Sequence, residues 1–246
     1  MTENESRQNF YSKGYYKGFT PEPRFIKVAN ILAKLKGENF LDIGCGDGDI
    51  TLFLKDKMNA TNAYGIEISE EATVEAKKKG VIAFKMDVDN CDLPFEDNFF
   101  DAIYCGEIIE HVFDTDHLLK ETKRVLKSGG VCIFTTPNLA GWSSRFALLF
   151  GYQPYPMAAS PVHESAGKLL TKSPEGQWGH IRVMTLRAFK ELVNFYGFRV
   201  IKIEGCSVTI KSCGPRLLLN SVKAVDKIMS RFPSFSTRII AILEKE

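Results

Sequence analysis

One short stretch of this 246-residue chain, an apolar run that leads straight into a glycine-rich loop, limits its fold more than any other feature. The run Phe40–Ile43 is followed by Gly44-Cys45-Gly46-Asp47-Gly48 and then by helix-forming residues. Glycine has no Cβ and tolerates positive φ angles, so glycines at alternate positions let a ligand approach the backbone closely. We therefore predict a buried strand, a ligand-binding loop and a helix, in that order.

The same alternation of strand and helix patterns continues through residues 38–137 and predicts an α/β fold. Short apolar runs alternate there with longer segments whose apolar residues lie three or four positions apart, which is typical of a parallel sheet built from βαβ units. The predicted strands are Asn39–Ile43, Ala63–Ile68, Ala83–Asp87, Ala102–Cys105, Val131–Thr136, Phe198–Ile203 and Arg238–Leu243. The predicted helices are Pro21–Leu35, Ile50–Met58, Glu70–Lys79, Asp116–Leu126, Trp142–Phe150, Leu186–Tyr196 and Arg216–Ser230.

The length of the chain is that of one domain with a modest insertion, and we expect residues 1–246 to form a single domain. Within it, residues 1–36 would form an aromatic cap and a helix, and residues 38–137 would form the ligand-binding core. Residues 138–180 are rich in Pro, Gly and Ser. A loop of that length in a compact domain usually has a function, so we expect it to cover a pocket. Residues 181–246 would complete the sheet.

Composition excludes several classes of protein. The chain has 32 Lys and Arg against 30 Asp and Glu, so its net charge of +2 provides no general field for nucleic acid, and no nucleic-acid partner is expected. The six cysteines are scattered singly, without the paired spacing of structural zinc sites. A secretory signal pattern and an 18-residue apolar run are both absent from the sequence, which predicts a cytoplasmic protein.

The spacing and charge of the glycine loop predict a cationic ligand. A dinucleotide-binding turn has the spacing G-x-G-x-x-G and places a pyrophosphate at the helix N-terminus. This loop has the spacing G-x-G-x-G and carries Asp42, Asp47 and Asp49 in or beside it. Three carboxylates would repel a pyrophosphate but suit a ligand with an ammonium and a sulfonium group.

Carboxylates at the ends of the next two strands predict that the ligand is a nucleoside. Glu67 ends the second strand about twenty residues after the glycine loop, where a carboxylate can accept both ribose hydroxyls. This feature alone fits NAD and an adenosyl sulfonium equally. After the third strand, Asp87 could accept the exocyclic amine of adenine while the Val88 amide donates to a ring nitrogen.

Several sequence runs, in this order, resemble the class I S-adenosylmethionine-dependent methyltransferases. The runs are D-I-G-C-G-D-G from residue 42, G-I-E-I from 65, D-V-D-N-C-D-L-P-F-E-D-N-F-F-D from 87, E-I-I-E-H-V from 107, L-K-S-G-G from 126 and T-P-N from 136. The chain is particularly similar to the small-molecule branch that includes ubiquinone-biosynthesis O-methyltransferases. This resemblance implies a Rossmann-like, seven-stranded, mostly parallel sheet in the order 3-2-1-4-5-7-6, with helices on both faces.

The resemblance also implies S-adenosyl-L-methionine as the cofactor. By position, Asp42 and Gly44 would border its methionine portion, and the carbonyl of Cys105 or Gly106 would meet its amino group. Together with the residue patterns, this predicts the cofactor-binding residues Asp42, Gly44, Cys45, Gly46, Gly48, Glu67, Ile68, Asp87, Val88, Cys105 and Gly106. Tyr15 and Tyr16, in an aromatic-rich N-terminal segment, either close over the cofactor or cover the edge of the core.

Catalysis of methyl transfer needs mainly alignment of the acceptor, because the positive sulfur already activates the donor. The candidate catalytic residues are His111 and His180, since an imidazole titrates near neutrality and can take a proton from a hydroxyl. Each could instead orient a loop. Glu107 and Glu110 resemble the acidic ligands of metal-dependent O-methyltransferases, but no further ligands can be identified in the sequence, so no metal is expected.

The acceptor is the least defined part of the prediction. A small molecule methylated on oxygen is favoured, and T-P-N at 136–138 differs from the N-P-P-[YF] run that holds planar amines. The alternatives are a non-catalytic cofactor-binding module and a methyltransferase for a lipid-like or protein acceptor. The apolar and basic segment 216–232 is compatible with membrane contact, but an ordinary amphipathic helix is favoured. Residues that either line an acceptor pocket or pack internally are Trp142, Arg145, Phe146, Tyr152 and Tyr155. The sequence does not predict an oligomeric state.

Overall fold

The computed structural model describes residues 22–160, 163, 165–169, 179–208 and 216–246. Seven strands form one sheet: β1 Asn39–Ile43, β2 Asn62–Glu67, β3 Ile82–Lys85, β4 Phe100–Gly106, β5 Leu126–Pro137, β6 Phe198–Cys206 and β7 Arg238–Lys245. The helices are α1 Pro23–Leu32, α2 Asp49–Met58, α3 Glu70–Lys78, α4 Thr115–Val125, α5 Trp142–Leu149, α6 Leu186–Phe195 and α7 Arg216–Met229. The predicted cofactor residues Tyr15 and Tyr16 lie outside the described residues.

The sheet has the order β3-β2-β1-β4-β5-β7-β6, which confirms the predicted fold class and strand order. Strands β1 to β5 pair in parallel, and β7 runs antiparallel to both of its neighbours. The order in which successive strands are added reverses between β1 and β4, since β2 and β3 lie on one side of β1 and β4 and β5 on the other. In sheets of this kind, ligands bind in the crevice outside the carboxyl ends of the strands at the reversal point.

Successive side chains of the central strands point to opposite faces of the sheet, and both faces are buried. On one face, Leu41 of β1 belongs to a cluster with Leu118 of α4 and Phe189 of α6. On the other face, Phe40 of β1 belongs to a cluster with Leu32 of α1. Each such side chain contributes about 1.5–3 kcal/mol when it is fully buried. Helices therefore cover both faces, as predicted.

Most predicted elements are present, and their ends differ for local reasons. Strand β5 begins at Leu126 because that residue pairs with Phe100, so α4 ends one residue earlier than predicted. Strand β3 ends at Lys85, and the prediction that Asp87 lies in this strand is wrong. Ser69 caps the N-terminus of α3, since its hydroxyl accepts the Ala72 amide at 3.3 Å.

Among the described residues, no helix combines the length and the apolar character needed to cross a bilayer.

Candidate active site

The glycine loop lies between β1 and α2 and has the left-handed backbone that only glycine adopts easily. The φ angles of Gly44, Gly46 and Gly48 are 84°, 55° and 85°. A Cβ on Gly44 would lie 2.2 Å from Cδ1 of Ile108, a residue of the turn after β4. The loop thus packs closely against the turn after β4, where a side chain at position 44 would not fit.

The thiol of Cys45 points away from solvent and donates to the Gly46 carbonyl of the loop at 3.6 Å. Its side chain is buried in a small cluster with Ala76, Val81 and Ala83. Burial is also the main reason why the pKa of its thiol is raised, with Asp42 and Glu67 adding to it. A cofactor role of Cys45 therefore depends on its amide or carbonyl.

Two of the three loop carboxylates share one ion-pair partner, whose single positive charge offsets half of their negative charge. The Lys79 ammonium lies 2.7 Å from Asp47 Oδ2 and 2.6 Å from Asp49 Oδ1. From the sequence, all three carboxylates were expected to attract a cationic ligand. In the structure Lys79 offsets part of the charge of Asp47 and Asp49, and Asp42 is the one without a cationic partner among the ion pairs of the described residues. Lys79 directly follows α3, so these ion pairs depend on how α3 packs against the loop. The sequence of the loop alone does not reveal them.

Asp42 occupies the penultimate position of β1 and is 2% exposed. Burial raises its pKa to about 7, the hydrogen bond from the Thr51 hydroxyl lowers it, and the charge of Glu67 raises it. The Thr51 bond is 2.7 Å long. A cation bound nearby would favour the ionised form of Asp42, so cofactor binding and ionisation of this residue are coupled.

Glu67 ends β2 and connects the glycine loop to the next turn. Its Oε2 accepts the Gly46 amide and its Oε1 accepts the Ser69 amide, each at 2.9 Å. Burial raises its pKa against the effect of these hydrogen bonds. Each carboxylate oxygen has a second lone pair, so Glu67 can hold the loop and still accept two ribose hydroxyls.

The remaining predicted cofactor residues line the same edge of the sheet. Asp87 follows β3, where its Oδ1 accepts the Asp89 amide at 3.1 Å and its Oδ2 accepts the Asn90 side-chain amide at 3.0 Å. Cys105 and Gly106 end β4, and a Cβ on Gly106 would meet the Tyr104 ring. The neighbouring positions are Val88 beside Asp87 and Ile68 beside Glu67.

Glu107 begins the turn after β4 with a φ of 57°, an unusual value for a residue other than glycine. Its Oε2 lies 2.8 Å from Arg238 and 3.3 Å from Arg24. Burial raises the pKa of Glu107, but Arg238 and Arg24 outweigh burial and hold this pKa below its usual value. Glu107 is therefore an ion-paired carboxylate that ties α1 and β7 to the turn.

Both predicted catalytic histidines meet at Glu110, a third residue that the sequence did not pair with them. Glu110 is 0% exposed, and its Oε2 accepts a 3.0 Å hydrogen bond from the Thr136 hydroxyl. The rings of His111 and His180 make an edge contact with centroids 4.7 Å apart. His180 Nε2 lies 3.9 Å from Glu110 Oε1, although the two residues are 70 positions apart in the sequence.

Burial shifts the pKa values of Glu110 and His180 in opposite directions. Burial first, and the nearby Glu107 second, raise the pKa of Glu110 well above its usual value. Burial is also the main cause that lowers the pKa of His180. Both groups therefore favour their neutral forms, which is the usual result when ionisable side chains are removed from water without a matched partner.

The segment containing His180 is held in place by backbone contacts. The amides of Ile181 and Arg182 donate to the Glu110 carbonyl at 2.8 and 3.1 Å. His180 Nδ1 lies 2.9 Å from the carbonyl of Pro156, in the predicted insert. Within the sequence, only the run E-I-I-E-H-V places two members of this cluster, Glu110 and His111, next to each other. The other residues that contact them come from distant positions in the chain.

Side chains at the start of the insert make structural contacts with the segment before β7 and with α7. The Asn138 amide donates to the Ser236 carbonyl at 2.9 Å and so fixes the turn before β7. Trp142 Nε1 donates to the buried Asp226 at 2.9 Å, so Trp142 packs internally. Phe146 is 51% exposed and His163 is exposed.

Comparison with known proteins agrees with this geometry. Residues 41–134 match a family model described as a methyltransferase domain. A demethylmenaquinone methyltransferase of Bacillus cereus is 31% identical over 170 residues, which are 65% of this chain and 68% of that protein. One of Staphylococcus aureus is 36% identical over 156 residues, 61% of each protein. The chain thus spans less than two thirds of the second relative.

Solved structures show the same fold at low sequence identity. A SAM-dependent methyltransferase of Archaeoglobus fulgidus superimposes with a TM-score of 0.60 and 16% identity, covering 96% of this chain and 99% of that one. The family match covers the glycine loop, the carboxylate after β2 and the turn that bears Glu110. The chain belongs to the class I S-adenosylmethionine-dependent methyltransferases, and S-adenosylmethionine is its cofactor.

Proposed function

We propose that this chain transfers the methyl group of S-adenosylmethionine to an oxygen atom of a small molecule, which binds beside Glu110, His111 and His180. The observation that carries this proposal is the position of this polar cluster, with Glu110 buried and both histidines half-buried, at the turn that follows the carboxyl end of β4. A hydroxyl acceptor must lose a proton, and the imidazoles of His111 and His180, held beside Glu110, are suited to take it. The prediction that His111 and His180 are catalytic residues is part of this proposal.

The cofactor would lie along the carboxyl ends of β1, β2 and β4. Glu67 would accept the ribose hydroxyls and Asp42 would attract the amino group of the methionine portion. This assignment is supported by the burial of both carboxylates and by the open backbone of the glycine loop. The other proposed cofactor contacts are made by Gly44, Cys45, Gly46, Gly48, Ile68, Asp87, Val88, Cys105 and Gly106.

The acceptor class follows from the relatives together with the cluster. Two relatives are named for methylation of demethylmenaquinone. A hydroxylated aromatic or quinone-like molecule would offer this chain both a flat apolar ring and an acidic hydroxyl. The exposed aromatic residues Tyr152 and Tyr155 of the insert could contact such a ring.

The insert of residues 138–180 would cover the acceptor as part of a single domain. Two contacts from described insert residues support this. The Pro156 carbonyl lies against His180, and the Leu139 amide donates to the Met184 carbonyl at 2.9 Å. The insert is thus attached at both sides of the polar cluster.

The reaction is an in-line displacement. The acceptor hydroxyl loses its proton, and an oxygen lone pair attacks the methyl carbon as the bond between that carbon and the sulfonium sulfur breaks. The products are a methyl ether and neutral S-adenosylhomocysteine. Positioning the two reactants together supplies much of the rate enhancement in reactions of this kind.

Calorimetry and a methyl-transfer assay test this proposal. We expect S-adenosylhomocysteine to bind with roughly micromolar affinity, about −8 kcal/mol. The variant Glu67→Ala should lose this binding. The matched control Glu71→Ala changes an exposed carboxylate of α3 and should bind normally. Labelled S-adenosylmethionine is then offered with a panel of hydroquinones, catechols and aromatic amines.

The outcomes of this experiment differ clearly. Label on the oxygen of a hydroquinone or catechol would support the proposal. Label on carbon or nitrogen alone would overturn the choice of oxygen. Binding without transfer to any acceptor, including metabolite extracts, would favour a non-catalytic cofactor-binding module.

A further inference from the structure

Glu110 is left incompletely satisfied by the described residues around it. Its side chain is 0% exposed, and its Oε1 has no hydrogen-bond partner among them. The Thr136 hydroxyl serves only the other oxygen, Oε2. A buried carboxylate oxygen without a partner is costly, and such an atom in a crevice indicates a missing cationic or donor group.

His180 faces this oxygen with an acceptor nitrogen. Its Nδ1 lies 2.9 Å from the Pro156 carbonyl, and a carbonyl can only accept, so the neutral imidazole carries its hydrogen on Nδ1. Nε2 then has a lone pair, and it lies 3.9 Å from Glu110 Oε1. This distance is too long for a hydrogen bond. Two bonds of about 2.0–2.2 Å to one cation would span it.

His111 completes a three-ligand arrangement. One carboxylate oxygen of Glu110 and one ring nitrogen each of His111 and His180 lie within 4.8 Å of one another. Around an ion with bonds of about 2.0–2.2 Å these atoms would lie about 3–3.5 Å apart, so the three side chains would have to move closer together on binding. The bond from His180 Nδ1 to a backbone carbonyl is the outer contact that metal-binding histidines usually make.

We propose that Glu110, His111 and His180 form a binding site for one divalent cation of the Mn²⁺ or Zn²⁺ type. Two imidazoles and one carboxylate suit such borderline cations, whereas Mg²⁺ and Ca²⁺ favour sites made of oxygen ligands alone. Three protein ligands leave at least one coordination position for a further ligand, as in catalytic metal sites. Glu107 is not part of this site, because its Oε2 is paired with Arg238 and Arg24 and it is not among the three residues whose ligand atoms lie within 4.8 Å of one another.

This site replaces the expectation from the sequence that no metal is bound. That expectation depended on the lack of further ligands for the acidic residues after β4. The structure supplies His180 from 70 positions away, and the turn brings His111 to the same point.

The role of the cation depends on the proposed function. The acceptor hydroxyl would occupy the open coordination position, where the positive charge lowers its pKa and its proton leaves to solvent. The resulting oxyanion attacks the methyl carbon, and S-adenosylhomocysteine leaves. His111 and His180 then act as ligands, and neither accepts the proton.

Manganese binding tests the site directly. The full-length protein is freed of metal with a chelator and titrated with MnCl₂ by calorimetry and by electron paramagnetic resonance. We expect one Mn²⁺ per chain. The variants Glu110→Gln and His180→Asn should weaken binding by at least about tenfold, and Thr136→Val, which removes the outer contact of Glu110, by about tenfold.

Two controls separate the site from general effects. The variant His117→Asn changes a histidine on α4 whose ring lies beside the Cys91 carbonyl, and it should bind Mn²⁺ as the wild type does. Each variant is checked by circular dichroism and by its affinity for S-adenosylhomocysteine, which should stay normal. Zn²⁺ is titrated in the same way as a second probe.

The results distinguish this inference from the proposed function. The inference is overturned if neither ion binds, if binding survives Glu110→Gln and His180→Asn, or if the chelated enzyme methylates its acceptor at the full rate. In the last case the proposed function stands, with the cluster acting without metal. Site-dependent Mn²⁺ binding in a protein that methylates no acceptor would support the site and overturn the proposed function.

Discussion

On the cofactor side of the crevice, the binding groups come from short stretches of sequence and are mainly backbone, whereas on the acceptor side they are side chains from distant segments. The two glycines Gly44 and Gly46 follow β1, and Glu67 is the last residue of the neighbouring strand β2. Both carboxylate oxygens of Glu67 accept backbone amides of the protein itself. On the acceptor side, Glu110 meets His180 across 70 residues, and its Oε1 has no hydrogen-bond partner among the described residues. The Glu67 carboxylate on the cofactor side thus has hydrogen-bond partners within the protein. The Glu110 carboxyl group on the acceptor side has an oxygen available to a cation or a hydrogen-bond donor.

This difference indicates which side is shared among related enzymes and which is specialised. A loop of backbone groups presents the same surface whatever the acceptor, and the family match spans it. The acceptor side depends on contacts with residues 156 and 180, beyond the matched range of 41–134. Variants on the two sides should therefore have separable effects.

The largest expected effect is on the cofactor side. The variant Glu67→Gln replaces one accepting oxygen by a donor that faces a backbone amide and removes the charge beside the ribose. Loss of two charge-assisted hydrogen bonds predicts a decrease in affinity for S-adenosylhomocysteine on the order of 100-fold. Calorimetry measures it. Mn²⁺ binding at Glu110 should be unchanged, and a parallel loss of both would contradict the separation of the two sides.

The corresponding variant on the acceptor side is Glu110→Gln. We expect kcat to fall by roughly 100-fold, because the group that promotes loss of the acceptor proton is lost. The affinity for S-adenosylhomocysteine should stay within about twofold of the wild type, since Glu110 lies outside the proposed cofactor contacts. Steady-state kinetics and calorimetry on the same preparation test this. A variant with normal kcat would remove Glu110 from the proposed mechanism.

A smaller effect, on stability, is expected from Asp226, which holds the start of the insert against the segments next to β6 and β7. This residue is 1% exposed and accepts hydrogen bonds from Trp142 Nε1, the Val208 amide and the Thr237 hydroxyl. The variant Asp226→Ala leaves these donors unpaired and should reduce the free energy of unfolding by about 2 kcal/mol.

Denaturant titration measures this loss. The control Glu191→Gln breaks an exposed ion pair with Arg187 on α6 and should change the unfolding free energy by less than about 0.5 kcal/mol. Equal effects of the two variants would show that Asp226 does not anchor this region.

The last comparison concerns the pH dependence of Asp42, whose effect on stability is spread over several pH units. Burial raises its pKa in the folded protein from 3.8 to about 7. Between these values the folded state holds a proton that the unfolded state has released, so this residue lowers the free energy of unfolding as pH rises toward 7. The change is at most about 1.4 kcal/mol per pH unit, and it levels off above pH 7.

The comparison with Asp42→Asn isolates this effect. The stability of the variant relative to the wild type, without cofactor, should increase from pH 5 to pH 7 and then stay constant. Denaturant titrations at each pH measure the difference. A difference that is constant over this range would mean that Asp42 ionises at its usual pH inside the fold.

Much of the fold could be predicted because strand and helix periodicity is written into local sequence. The strands β1, β2 and β4 follow from apolar runs, and the glycines after β1 follow from the positive φ angles that the loop needs. Strand ends were less predictable. β5 starts at Leu126 because Phe100 pairs with it, and that partner lies 26 residues earlier.

The charge of the loop shows where local reasoning was incomplete. Asp42, Asp47 and Asp49 look equivalent in the sequence, but Lys79 of α3 pairs with the last two. Ion pairs between separate elements depend on how those elements pack. The chemistry of the loop was therefore predicted correctly in kind and overestimated in charge.

The sequence by itself determined the α/β class, the glycine loop and the carboxylates after the first two strands, because each depends on residues close together in the chain. Only the tertiary structure decided that His180 meets Glu110 and that Asp47 and Asp49 share the Lys79 ammonium. The physical reason is the same in both cases. The energy of a buried or paired charge depends on neighbours in space, and the distance between two residues in a sequence does not specify their distance in the fold.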